Sequence, residues 1–167
     1  MDPGSGRRIV DTHASLAAYV AAAAERRAKQ SVLRVHRLWR DPLDTLRWEI
    51  APNLSGFKPS WTVTGVAASL LLAPYLSEVT ALEPSVDAET MSDASDLAAR
   101  LGSRIVDKGH RIEIRELPTA MSAHGPVVDG VHVALPIRVY ADLMAAGGRS
   151  AEAAHHLRER FDVGTPA

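Results

Sequence analysis

The stretch SWTVTGVAASLLLAPYL, Ser60 to Leu76, decides how this chain is read. Trp61 to Val63 are aromatic and β-branched enough for a short strand, and the pattern breaks at Thr64-Gly65 straight into an apolar helical run. A strand passing through a glycine into a helix is the basic step of an α/β layer. Such a glycine also lets backbone amides approach an anion at a helix N-terminus. Whether this turn carries chemistry or only shape depends on what the rest of the chain places around it.

Upstream, THASLAAYVAAAAERRA predicts a helix from Thr12, with Thr12 as its cap and Leu16, Tyr19, Val20 and Ala23 on one side. SVLRVHRLW, 31–39, reads as a strand. Asp41-Pro42 supplies a cap and a first-turn proline, and Leu43, Leu46, Ile50 and Leu54 recur at helical spacing. APNLSGFKPS, 51–60, reads as a loop from its Pro, Asn and Gly content.

Downstream, SEVTALEPSVD predicts a strand that becomes irregular at Pro84, and SDASDLAARLG a short helix capped by Ser92 and stopped by Gly102. SRIVD and RIEIREL read as strands on either side of Lys108-Gly109. In the second, Ile112 and Ile114 alternate with Glu113 and Arg115, which predicts one buried and one wet face. A polar loop, PTAMSAHGP, leads to VVDGVHVALP, where Asp129-Gly130 makes either a tight hairpin or a break. Two helices close the chain: one from Pro136 to the Gly147-Gly148 stop, and one capped by Ser150 with Ala153, Leu157 and Phe161 on one face. The pattern predicts a single α/β (α+β) domain over residues 11–162, a mixed sheet flanked by helices with a C-terminal helical hairpin. A flexible 1–10 segment and a 163–167 tail lie outside it.

With 167 residues, 46% apolar and 23% charged, the chain has globular composition and enough length for a core without metal or disulfide. The absence of cysteine excludes thiolate ligands and thiol nucleophiles. The longest apolar run, about Val66 to Leu72, is too short to span a bilayer, and MDPGSGRRIV lacks the apolar region of a signal peptide. A cytoplasmic protein with no membrane partner is the resulting expectation. Charge is unevenly spread: residues 1–40 hold eight Lys/Arg against three Asp/Glu, and the remainder eleven against seventeen. Arg26, Arg27, Lys29, Arg34, Arg37 and Arg40 stand without an acid among them. They mark either a face toward nucleic acid or an acidic partner, or a solvated helix end.

Candidate chemistry is sparse. Neither GxGxxG nor a glycine-rich loop ending in Lys-Ser/Thr is present. The turn at Gly65 resembles that of small nucleotidyltransferase-like domains, in which a strand, a glycine and a helix are followed by a strand bearing two carboxylates two residues apart. Those carboxylates share a face because together they hold divalent metals. Here the expected positions are Thr80, Ala81 and Leu82, and Glu78, Glu83 and Asp87 do not have that spacing. The turn therefore reads as structural or vestigial, with no metal and no cofactor expected. His155 and His156 point apart on a helix, Glu152 with His156 offers two ligands at most, and His110, His124 and His132 show no ligand spacing. Ser69 and Ser122 lack a GxSxG context. Trp39, Trp48 and Trp61 read as packing residues, and no helix-turn-helix is evident.

The combination of WTVTGVAAS, HRIEIREL and above all VALPIRVYADLMAAGGRSAEAAHHLRE resembles the effector half of AbiEi-type antitoxins, winged-helix transcriptional regulators of type IV toxin–antitoxin systems. The resemblance covers roughly residues 7–161. Beyond Gly65 its motif falls on Pro136, Val139, Tyr140, Asp142, Leu143, Gly148, Arg149, Glu152, Ala153, Ala154 and Leu157. It implies a regulator, not an enzyme, that reads the operator of its operon through a winged helix-turn-helix, a part this sequence lacks. It also implies a nucleotidyltransferase toxin as functional partner. The basic stretch before Arg40 would lie nearest the DNA reader, and Arg149 is placed to pair with Asp142 or to cap preceding carbonyls. Two other readings stay open: a divergent nucleotidyltransferase, and a ligand-binding or homodimerising domain with WTVTG and Pro118 to Pro126 around its pocket.

Overall fold

A computed structural model describes residues 12–56, 61–75, 78–117 and 124–161, so 1–11, 57–60, 76–77, 118–123 of the loop read at 118–126, and the tail from 162 fall outside it. The elements run α1 (Thr12–Lys29), β1 (Val32–His36), α2 (Pro42–Thr45), a π-helical turn (Leu46–Ile50), α3 (Ala51–Ser55), β2 (Trp61–Thr64), α4 (Gly65–Leu72) and β3 (Glu83–Val86). There follow α5 (Ala88–Ser92), α6 (Ala94–Arg100), β4 (Arg104–Ile105), β5 (Ile112–Glu116), β6 (His124–Val128), β7 (Val131–Ala134), α7 (Pro136–Ala146) and α8 (Arg149–Phe161). The strands form one mixed sheet in the order β4-β1-β5-β3-β2-β7-β6. β3 with β5 and β2 with β7 are the parallel pairs. This is the mixed α/β domain expected from the pattern, with α7 packed on α8 and on α1.

Several local expectations give way to tertiary structure. Residues 51–55 are helical, not loop: Pro52 has no N–H, and the preceding turn widens to π so that the Ala51 N–H bonds Leu46 O and the ring is accommodated. The strand in 77–87 is confined to Glu83–Val86, with 78–81 irregular. Pro84 cannot donate to β5, and the β3–β5 ladder is broken between Leu82↔Ile112 and Ser85↔Arg115. Ser92 ends α5 rather than capping a helix. Asp93 caps α6, accepting from the Asp96 N–H at 2.9 Å. His124 to Pro126 belong to β6, not a loop, and Asp129-Gly130 is the hairpin turn, with φ of 51° and 79°. Phe161 and Trp48 are exposed, so neither packs as its spacing suggested.

Strand register sorts the central side chains into two sets. Trp61, Val63, Pro84, Val86, Ile112, Ile114, Leu33 and Val35 share one face. All are buried in the apolar core, Val63, Ile112, Ile114 and Val35 completely. Thr62, Thr64, Glu83, Ser85, Glu113, Arg115 and Arg34 share the other. Their face is not the wet one that alternation predicted: Thr62, Thr64, Ser85 and Arg115 are buried, because residues of α1 and α7 bond across it.

Candidate functional site

Gly65 adopts φ 70°, left-handed backbone that only glycine enters without strain, at the junction of β2 and α4. A side chain there would also run into the Glu83 carboxylate, which packs against Gly65 from the neighbouring strand. The anion beside the first turn of α4 is thus built into the chain. Glu83 in turn is held by the Arg27 guanidinium from α1, which reaches Asp142 on α7 at 3.7 Å with its other terminal nitrogen.

Asp142 is the hub of this layer. It accepts from the Thr64 hydroxyl at 2.6 Å and lies 3.7 Å from Arg138 Nε, one helical turn back. Arg138 also donates to the Ser85 hydroxyl at 3.2 Å. Further along the sheet, Arg115 donates to Glu113 at 2.9 Å and to the Arg27 carbonyl at 3.3 Å, while Gln30 donates to the Glu116 carbonyl at 2.9 Å. Three arginines and three carboxylates therefore fill the space between the sheet and its two covering helices. Unpaired, any one of them would be too costly to bury. The cavity left among Tyr19, Arg26, Arg27, Arg138 and Asp142 is about 20 Å³, room for about one water.

Titration follows from the pairing. Burial raises the Glu113 carboxyl, but Arg115, His110 and Arg34 outweigh it and hold the group below the usual glutamate range. Burial lowers Arg27, and Glu83, Asp142 and Glu113 reverse that, so its guanidinium stays charged. Burial pushes the Tyr19 hydroxyl up.

The two positions that should bear paired carboxylates on the strand after the glycine turn are Glu83 and Ser85, not Thr80 to Leu82, since those two share the face of Thr64. The strand offers one acid there, and that acid is neutralised by Arg27. Among the described residues no group of three or more His, Asp or Glu is arranged to hold a metal ion. Trp61 to Gly65 are buried.

The basic residues singled out by charge divide. Arg27 turns inward to the layer, and Arg37 bonds the Leu101 carbonyl and pairs with Glu49. Arg26, Lys29, Arg34 and Arg40 are exposed, Arg34 within 3.4 Å of Glu113. In the C-terminal hairpin Pro136 occupies the first turn of α7, Tyr140 and Leu143 are buried, and Gly147 and Gly148 take φ of 71° and 54° between the helices. Arg149 does not meet Asp142, which Thr64, Arg27 and Arg138 already engage. Arg149 and Glu152 are exposed. Arg138 and Ser85, unmarked by sequence reasoning, belong to the site beside Thr64 of the marked turn; the local signal for Arg138 was its i, i+4 spacing from Asp142.

The profile of a family described as transcriptional regulator, AbiEi antitoxin, type IV toxin–antitoxin system matches residues 8–162. The chain belongs to this family. Gly65, Asp142 and the α7–α8 hairpin all lie within the matched span. No curated protein and no solved structure matches the chain. This AbiEi-family chain also has no described helix long and apolar enough to cross a membrane.

Proposed function

We propose that this chain is the non-catalytic effector domain of an antitoxin-like transcriptional regulator, acting in a type IV toxin–antitoxin system whose toxin is a nucleotidyltransferase. One observation carries the non-catalytic part. The sheet face that would present a metal and a nucleotide at the glycine turn is roofed by α1 and α7 and filled with arginine–carboxylate pairs. A guanidinium between Glu83 and Asp142 occupies the place of a cation, and Ser85 stands where a second carboxylate is needed. The family supplies the regulatory part. Operator DNA is read by a winged helix outside the described residues, with Arg26, Lys29, Arg34 and Arg40 as the exposed cations available to DNA or partner.

The test is co-expression with the nucleotidyltransferase encoded beside it, paired with a mobility shift on the DNA upstream of its own gene. Restored growth supports the effector reading. Loss of operator shift in the 167-residue protein, with a shift and a steep salt dependence in a form extended upstream, supports the division of labour. Nucleotide transfer by the purified chain in the presence of magnesium would sink the non-catalytic assignment.

A further inference from the structure

Three large apolar side chains stand exposed near the β4 edge of the sheet and the turn that follows β1: Leu38 at 80%, Trp48 at 73% and Ile105 at 51%. Leu38 and Trp48 line one open groove of about 460 Å³. Leu38 also borders a second of about 700 Å³, with His36 and Arg104, beside the edge strand that carries Ile105. An exposed tryptophan and leucine sharing a concave surface are the composition of an interface centre rather than of ordinary surface.

The charges around this centre select the occupant. Arg40 and Arg104 are exposed and have no ion-pair partner among the described residues. Asp41, Asp44 and Glu49 line the groove of Arg40 and Trp48, while Arg104 lines the adjoining one, and the Asp44 and Glu49 side chains remain 64% and 48% exposed despite their contacts with Arg47 and Arg37. A nucleic acid would meet two free arginines and three carboxylates, which repel a phosphate backbone. A uniformly acidic segment would meet the same repulsion. A surface with an apolar centre, cations on it and acids beside them is complementary to itself, which is the requirement of a two-fold interface.

We propose that the Leu38–Trp48 surface is where a second copy of this chain docks, two-fold symmetric, with Trp48 and Leu38 at the centre and the arginines of each copy facing the acids of the other. The proposal concerns a surface apart from the glycine turn, and of the exposed cations available to DNA or partner it assigns Arg40 to the partner copy.

Sedimentation velocity on the intact chain over a micromolar concentration series tests it. The wild-type protein sediments as a dimer at the upper concentrations. Trp48→Ala and Leu38→Asp each raise the dissociation constant about tenfold or more while leaving the far-ultraviolet circular dichroism unchanged. Arg40→Glu and Asp44→Arg each weaken the dimer, and the double variant Arg40→Glu/Asp44→Arg recovers it. A chain that stays monomeric throughout overturns the proposal, including the case where a single-stranded oligonucleotide or an acidic peptide then quenches Trp48. So does a dimer that Trp48→Ala and Leu38→Asp leave intact.

Discussion

The two faces of the central sheet are made from the same four strands by different physics. On one face Val35, Val63, Val86, Ile112 and Ile114 are interchangeable in kind: each contributes apolar area and shape, and the summed burial holds the face down. On the other, Arg27, Glu83, Asp142, Arg138, Glu113 and Arg115 are not interchangeable, because each charge is tolerable only through a named partner. The apolar face is specified by composition, the polar one by pairing. A pairing-specified layer loses much from a small chemical change and little from a matched double change, and the apolar face behaves the other way round.

That contrast is breakable, starting with its hub. Asp142→Ala leaves Thr64, Arg27 and Arg138 without their common acceptor, and is expected to cost about 3–5 kcal/mol in urea unfolding. An effect under about 1 kcal/mol would mean that water replaces the partners and the layer is not pairing-specified. Gly65→Ala follows at about 1–3 kcal/mol, since the left-handed backbone is strained and the new methyl can be admitted only by moving Glu83 off Arg27. Combining it with Glu83→Ala should recover part of that loss, the part due to the clash.

Glu113 provides a pH handle on the same layer. Its carboxyl is held below the ordinary range, so in the native state it releases its proton more readily than in the unfolded chain. Its contribution to stability is therefore present above the unfolded glutamate value of about 4.3 and is lost as pH falls through the lower native value. Chemical denaturation at a series of acidic pH values should show a steeper loss for the wild type than for Glu113→Gln; parallel curves would contradict the pairing with Arg115. On the apolar face Ile114→Val should cost only about 0.5–1.5 kcal/mol, the ordinary price of one methyl group. Smallest of all, Trp48→Ala should leave monomer stability within about 0.5 kcal/mol, since its ring is outside both layers.

The same contrast explains what could be read in advance. The isoleucine alternation at 112 and 114 marked a buried face, and the Pro136 start and Gly147-Gly148 stop marked the closing hairpin, because these signals are local in period or backbone preference. Glu113 and Arg115 carried the same local signal as any solvated pair. The burial of Arg115 depends on α1 arriving from some ninety positions away, a contact made by the Arg115 bond to the Arg27 carbonyl, 88 residues apart, and by the Gln30 bond to the Glu116 carbonyl. Asp142 was marked as a motif residue, with nearby Arg149 read as either its partner or a cap on preceding carbonyls, whereas its hydroxyl donor is Thr64, 78 residues distant. Pro52 and Pro84 misled for a different reason: each was absorbed, one by a widened helical turn and one by a gap in the strand ladder. The basic cluster was legible as a sum and not as a face, since net charge along a segment does not say that Arg27 and Arg37 point inward.

The span of the charged layer also has a consequence for how the chain is made. Arg27 needs Glu83, 56 residues later, and Thr64 needs Asp142. While the ribosome has yet to deliver α7, the first helix has been synthesised without the acceptor that completes its seat. The sheet likewise waits for β7 to flank β2. Closure is thus a late, non-local and slow event, and a nascent chain halted before α7 would expose the polar face with its arginines unmatched.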